Sequence, residues 1–336
     1  MPSTTDAPRL NPLAGLTLIL FTLFSWAAVP LFLHHFSTHD QLNPFAANAW
    51  RYGISAAFWL PFLILARFRG HLPNALLRAA LIPAALNICG QTLFAWGPAI
   101  LEPGYFSFIF RVQIIFVTLG AYLLFPGERA ALRRPLYWLG IALVIGGSIG
   151  LILTGKQHAP TIGGVPALVG IVVALLAGIL FAGYGLAVRA CVNQYHPVTS
   201  FGVICQFTAV GVIAALALAP LADSVVPAAL HADALKPVHE FGLYAWFLLV
   251  ASAFVGIAIS HVTYYASIKR LGVAVSIGIL QLQPIVTALA SIFIFGERLN
   301  GVQWGAGVIG IAGAVVMLTA AHTTKRATAA AEEEGN

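Results

Sequence analysis

Ten apolar segments, each roughly twenty residues long, follow one another along this chain with few polar residues between them. They run approximately over 12–33, 44–66, 77–98, 104–125, 136–154, 163–189, 198–221, 242–265, 272–295 and 301–321. A bilayer core is crossed by about 20 helical residues, and in hydrocarbon only a helix or a closed barrel pairs all of its own backbone groups. Composition agrees: 60% of residues are hydrophobic and 8% charged, where a soluble domain carries about 25% charged residues. The expected fold class is therefore an all-α polytopic membrane protein. The first segment has only Arg9 as a basic flank and lacks a small-x-small cleavage site, so it reads as a retained helix. Between the third and fourth segments stand only Leu101-Glu102-Pro103-Gly104, where Pro103 and Gly104 suit a tight reversal. Residues 223–240 form the one sizeable loop, with room for a short surface helix.

Basic residues orient the bundle. With a cytoplasmic N-terminus, twelve of the 17 Lys and Arg fall inside; Lys156, Lys236 and Arg298 fall outside, and Arg51 and Arg111 lie within spans. That is a positive-inside distribution with both termini cytoplasmic. The net charge of +6 then reflects topology and anionic membrane lipid, and nucleic acid is not an expected partner, because no basic cluster with interleaved aromatics faces water. Cys89, Cys191 and Cys205 show neither a disulfide framework nor metal-ligand spacing, so no metal is expected.

The tripeptide Gly-Glu-Arg occurs twice, at 127–129 and 296–298, each time closing one apolar segment and preceding another. Val117-Thr118 and Val286-Thr287 hold equivalent places before the two copies, and Trp138 and Trp304 follow them, each in a glycine-rich span. The pattern reads as a duplicated unit of five spans. Five is odd, so the two five-helix repeats must be inverted relative to each other, the geometry that alternating access uses. The expected organisation is an N-terminal tail (1–11), a first repeat (12–154), a linker (155–162), a second repeat (163–321) and a C-terminal tail (322–336).

Four stretches carry a family resemblance: Gln283-Pro284-Ile285-Val286-Thr287 through Gly296-Glu297-Arg298 to Trp304-Gly305; Tyr264-Tyr265-Ala266 with Lys269-Arg270-Leu271; Gly127-Glu128-Arg129; and Arg51-Tyr52. On these the chain resembles the drug/metabolite transporter superfamily, in its ten-span branch known by the EamA domain. The resemblance implies movement of small organic solutes, commonly export of amino acids and other metabolites, across a plasma membrane such as a bacterial inner membrane. One departure stands out. Pro284 is present in the second repeat, but the matching first-repeat position is Ile115, so the resemblance gives no ground for a matching proline kink in the two helices.

Ionisable groups inside a membrane face a cavity or a partner, and well within the spans, Tyr and Cys aside, this chain has only Arg51, Arg111 and His261. Arg111 lies about 10 Å into the fourth span at 1.5 Å per residue, sharing a face with Ser107 and Phe108 and near Gln113, with no carboxylate at that depth. Its planar fork suits a solute carboxylate or phosphate; snorkelling is the alternative. Arg51, flanked by Asn48 and Ser55, reads either as a second contact or as a packing or gate residue. His261, Tyr264 and Tyr265 share one face of the eighth span. His261 suits a proton relay or a neutral ring bonded to backbone. Asn87 with Gln91, Gln281 with Gln283, and the deep aromatics Trp26, Phe94 and Tyr184 complete the candidate solute site. Gly146 with Gly150 and Gly301 with Gly305 have the small-x-x-x-small spacing of close helix contacts.

Two buried cations and no buried acid favour a zwitterionic or anionic solute, such as an amino acid or organic acid. No nucleotide-cradling motif is present, so neither a cofactor nor ATP hydrolysis within the chain is expected. The expected function is secondary transport by alternating access, as exporter or exchanger, in a monomer or homodimer. An intramembrane enzyme acting on lipid is the alternative; it would need a nucleophile, acid or metal cluster within the spans.

Overall fold

The computed structural model describes residues 12–125, 134–155, 166–192, 194–222, 241–271, 276 and 279–334. Among these every regular element is helical. The first half comprises α1 (Pro12–Thr38), α2 (Pro44–Phe68), α3 (Asn74–Ala79), α4 (Leu81–Ile100), α5 (Pro103–Phe110), α6 (Gln113–Leu124) and α7 (Pro135–Gly155). The second comprises α8 (Ala167–Ala187), continued by a π segment (Val188–Val192), then α9 (Pro197–Leu218), α10 (Leu243–Ala253), a second π segment (Phe254–Ile259), α11 (Ser260–Leu271), α12 (Gln283–Phe295) and α13 (Gly301–Glu334). Eight helices, joined with their continuations, are long and apolar enough to cross a membrane; Gln283–Phe295 and Gly301–Met317 are two shorter apolar helices. Together they make the ten-helix, two-repeat architecture, and α13 runs well past the expected end of its span. The first Gly-Glu-Arg, the loop 223–240 and all of the 155–162 linker except Gly155 lie outside the described residues.

Helix starts follow from local chemistry. Pro44 and Pro197 occupy first-turn positions, where a missing N–H costs nothing. Asn43 Oδ1 accepts from Phe45 N at 2.8 Å, and His196 Nδ1 accepts from Val198 N at 3.3 Å. Asn300 and Gln303 cap α13 reciprocally, each side-chain oxygen accepting the other's N–H at 2.8 and 2.9 Å.

The second Gly-Glu-Arg has a structural role in both of its first two residues. Gly296 ends α12 in the left-handed region (φ 71°), which a residue with a Cβ rarely adopts. Glu297 then turns inward. Its carboxylate accepts from Gly104 N and Tyr105 N at 2.9 Å each, capping the buried first turn of α5 in the other half, whose N–H groups have no partner within the helix. This revises the reading of Gly104. Its φ is not positive; it is glycine because a Cβ there would stand 2.7 Å from Glu297 Oε2. Beside it, burial and the neighbouring Glu297 push the Glu102 carboxyl up to about 7.

Both central helices of the two halves break in mid-span. The fourth span changes from α5 to α6 at Arg111-Val112, where Arg111 N bonds Phe108 O at 3.2 Å and Ile114 N bonds Arg111 O at 3.0 Å. The ninth breaks at Gln281-Leu282, with Leu282 N bonded to Ile279 O at 3.1 Å. These are three-residue rings of the 3₁₀ type, which mark hinges inside longer helices. The fourth span thus breaks without a proline, its tightened turn keeping the backbone bonds, while the ninth breaks just before Pro284.

The fifth and tenth spans, α7 and α13, pack on each other as scaffold, and of the four glycines expected there Gly150 faces the seam, where a Cβ would stand 3.1 Å from Ala306 Cβ. A Cβ on Gly146, Gly301 or Gly305 would meet nothing within 4 Å, whereas one on Gly147 would stand 2.5 Å from Ala306 O and one on Gly140 2.7 Å from Gly313 O. Gly140 and Gly147 are seven residues apart, so the seam follows a heptad stripe instead of a four-residue one. Gly147→Leu should therefore prevent folding, while Gly146→Leu leaves the apparent melting temperature unchanged; thermal scans of the detergent-solubilised variants compare them.

A second expectation concerns pH. Glu102 binds its proton more tightly in the folded chain, so its contribution is whole below about pH 4.5 and is lost as pH rises through about 7. The fall in melting temperature between about pH 5 and about pH 8 should be smaller in Glu102→Gln than in the unaltered protein.

Candidate functional site

A cavity of about 260 Å³ runs through the middle of the molecule, walled by both halves. Spans one to four and six to nine supply its lining; α7 and α13 supply none. It extends to the face that carries Arg189, Tyr195 and Lys269, at the ends of the sixth and eighth spans. Span parity puts the start of α1 on that same face. The opposite face is closed by a cluster that includes Leu33, Phe36, Leu42, Leu101 and Phe106, all at most 2% exposed, and by the Glu297 cap.

Arg111 sits at the break of the fourth span, half-buried on the wall. Its Nη2 donates to Gln283 Oε1, and its buried Nε has no partner. The lining also differs from the neighbours expected for Arg111: Ser107 and Phe108 are buried and do not line the cavity, and Phe108 packs against Trp304 and Gly307 instead. Arg51, 1% exposed, is held from α2 by its own helix: Nη1 donates to Asn48 Oδ1 at 3.1 Å, and Asn48 Nδ2 donates to Gln91 O at 2.5 Å. Gly256, in the π segment, makes room for it, since a Cβ there would stand 3.1 Å from Arg51 Nη2. None of the lining residues is acidic, so neither guanidinium is neutralised from the wall.

Facing the arginines is an aromatic arc. Trp26 meets His261 edge-on at 5.2 Å and Tyr264 at 5.0 Å, and its indole Nε1 donates to Ser260 Oγ at 3.0 Å. Tyr184 and Tyr265 share a hydrogen bond between their hydroxyls at 2.8 Å, across the two elements α8 and α11. Phe94, Phe110 and Phe181 pack edge-to-face with centroids 5.1–5.7 Å apart. His261 stacks flat on Phe201 at 4.6 Å, and its Nδ1 bonds the Ile257 carbonyl at 3.1 Å. A carbonyl can only accept, so Nδ1 carries the hydrogen and Nε2 is the basic nitrogen.

Of the residues read from the sequence, Arg111, Arg51, Gln91, Gln113, Trp26, Phe94, Tyr184, His261, Tyr264, Tyr265, Gln281 and Gln283 all line this one cavity. Asn87 does not. It is fully buried behind the wall, donating to Tyr52 OH at 3.2 Å and Thr208 Oγ1 at 3.0 Å. It shares a helix face with Gln91, but the close approach of α2 and α9 closes over it. Sequence reasoning passed over Phe181, although it lies three residues from Tyr184 on the same face of α8, and over Ser200 and Lys269 near the mouth.

The family model described as the EamA-like transporter family matches the chain twice, over residues 13–153 and 168–319. Among solved structures, the crystal structure of a protein 19% identical to this one is similar with a TM-score of 0.57, over 91% of this chain and 95% of that one. At that identity the likeness concerns the fold. No match was found among the curated proteins.

The position of Asn87 yields a test that separates wall from scaffold. Asn87→Ala strips a buried donor from Tyr52 and Thr208 and should destabilise by about 1–3 kcal/mol, read as a lowered melting temperature, while affinity for any cavity-bound solute stays within about twofold.

Proposed function

The chain belongs to the EamA-like transporter family, and from that we propose that it is a secondary transporter of a small organic metabolite carrying a negative group, an organic acid or a zwitterion such as an amino acid. The solute occupies the central cavity, and alternating access between two inverted repeats carries it across the membrane. The observation that carries this reading is the charge of the wall: Arg51 and Arg111 line a cavity with no acidic residue among the described residues that line it. In that setting a guanidinium is the natural anchor for a carboxylate or phosphate, and the aromatic arc suits an apolar body attached to it. Arg111 is the anchor, because it stands at a helix break and is half-buried on the wall, whereas Arg51 is 1% exposed and tied to Asn48 within its own helix.

The distribution of basic residues supports cytoplasmic termini, which makes the open mouth at Arg189 and Lys269 the cytoplasmic one. The solute then enters from inside, as an exporter or exchanger requires, and a bacterial inner membrane is the proposed location.

Reconstituted in liposomes, the unaltered protein should move members of a panel of organic acids, amino acids and phosphorylated metabolites without altering them chemically. Arg111→Gln should slow that flux by roughly 30-fold or more, the factor expected when a buried charged hydrogen bond is lost, with an unchanged melting temperature. Normal flux by the folded variant would remove Arg111 from the site.

A further inference from the structure

Pro30 lies inside α1, one turn after Trp26. It has no N–H, so the Trp26 carbonyl loses its helical partner, and the ring presses that carbonyl outward. A carbonyl unpaired in an apolar interior is costly. It is taken by α12: Gln283 Nε2 donates to Trp26 O at 3.0 Å, and one turn further on Thr287 Oγ1 donates to Ala27 O at 2.9 Å.

This pairing decides more than the packing of α1 on α12. The Gln283 amide has one donor end and one acceptor end. Its NH₂ is committed to a carbonyl, which can only accept, so its oxygen must face the other way. There it accepts from Arg111 Nη2. Gln283 is 5% exposed, so nothing but the cavity competes for its oxygen. A neutral amide holds the guanidinium without cancelling its charge; a carboxylate in the same place would cancel it.

We infer that Gln283 is a positioning residue, its amide orientation set by the proline in α1, that aims the Arg111 guanidinium into the cavity with its positive charge intact. The inference rests on Arg111 being the solute anchor, yet the two can fail separately.

Phenylglyoxal, which modifies arginine, reads the guanidinium directly when Arg111-containing peptides of the purified full-length protein are followed by mass spectrometry. Gln283→Ala should raise the rate of Arg111 modification roughly three- to tenfold, the factor that losing one hydrogen bond supplies. Gln283→Glu should lower it, because an ion pair replaces the neutral contact. Pro30→Ala returns an N–H to Trp26 O and releases Gln283; it should raise the rate as Gln283→Ala does, in a helix that has gained a backbone bond and so remains folded. If Gln283 only ties α1 to α12, the melting temperature falls in Gln283→Ala while Arg111 reacts at the same rate in all three variants, and the inference is overturned. Benzoate added to the unaltered protein tests the anchor by itself: protection of Arg111 supports it. Absence of protection, with the three variants still shifting the rate as described, sinks the anchor reading and leaves the positioning role standing.

Discussion

A backbone carbonyl that loses its helical N–H in the interior of this molecule has no water to turn to, and a side chain from another helix takes it. Trp26 O, deprived of its partner by Pro30, goes to Gln283, and Ala27 O beside it accepts from Thr287. Ala253 O and Ala258 O, at the edges of the π segment, go to Ser55 and Trp59. The N–H groups at the start of α5 go to Glu297. In each case the irregular backbone belongs to one half and the side chain that satisfies it belongs to the other. The irregularities a transporter needs for bending are therefore also the places where its two halves are joined.

The same economy explains the division between moving parts and frame. Spans five and ten are uninterrupted helices zipped at Gly140, Gly147 and Gly313, where backbones approach too closely for a side chain, and they contribute nothing to the cavity wall. Four of the eight spans that do line it carry breaks: 3₁₀ turns in the fourth and ninth, π segments in the sixth and eighth. Helices whose carbonyl partners can be exchanged between backbone and side chain can bend without leaving a group unpaired. A seam of glycines packed backbone to backbone cannot.

The cavity was largely readable from the residues because charge and hydrogen-bonding capacity are too costly in lipid to lie idle. Arg51, Arg111 and His261 stand out in apolar text, and all three reach one wall. Asn87 shows where the argument ends. The polar character that flags a residue says that it has a partner, not whether the partner is a solute or a neighbouring helix, and for Asn87 it is Tyr52 and Thr208. Phe181 went unread because a phenyl ring has no polar atom to mark it, and depth along the span singled out Trp26, Phe94 and Tyr184 instead.

Hydrophobic length along the chain determined the membrane class and the ten helices, because the cost of burying charge and unpaired backbone in hydrocarbon leaves no other solution, and the twice-occurring Gly-Glu-Arg with its matched Val-Thr and Trp marked their duplication. Which glycines form the α7–α13 seam, where the fourth span breaks without a proline, and which end of Gln283 meets Arg111 are matters of distance between segments far apart in the chain. Those depend on the angle at which helices cross and on which carbonyls that crossing leaves bare, and only the packed molecule decides them.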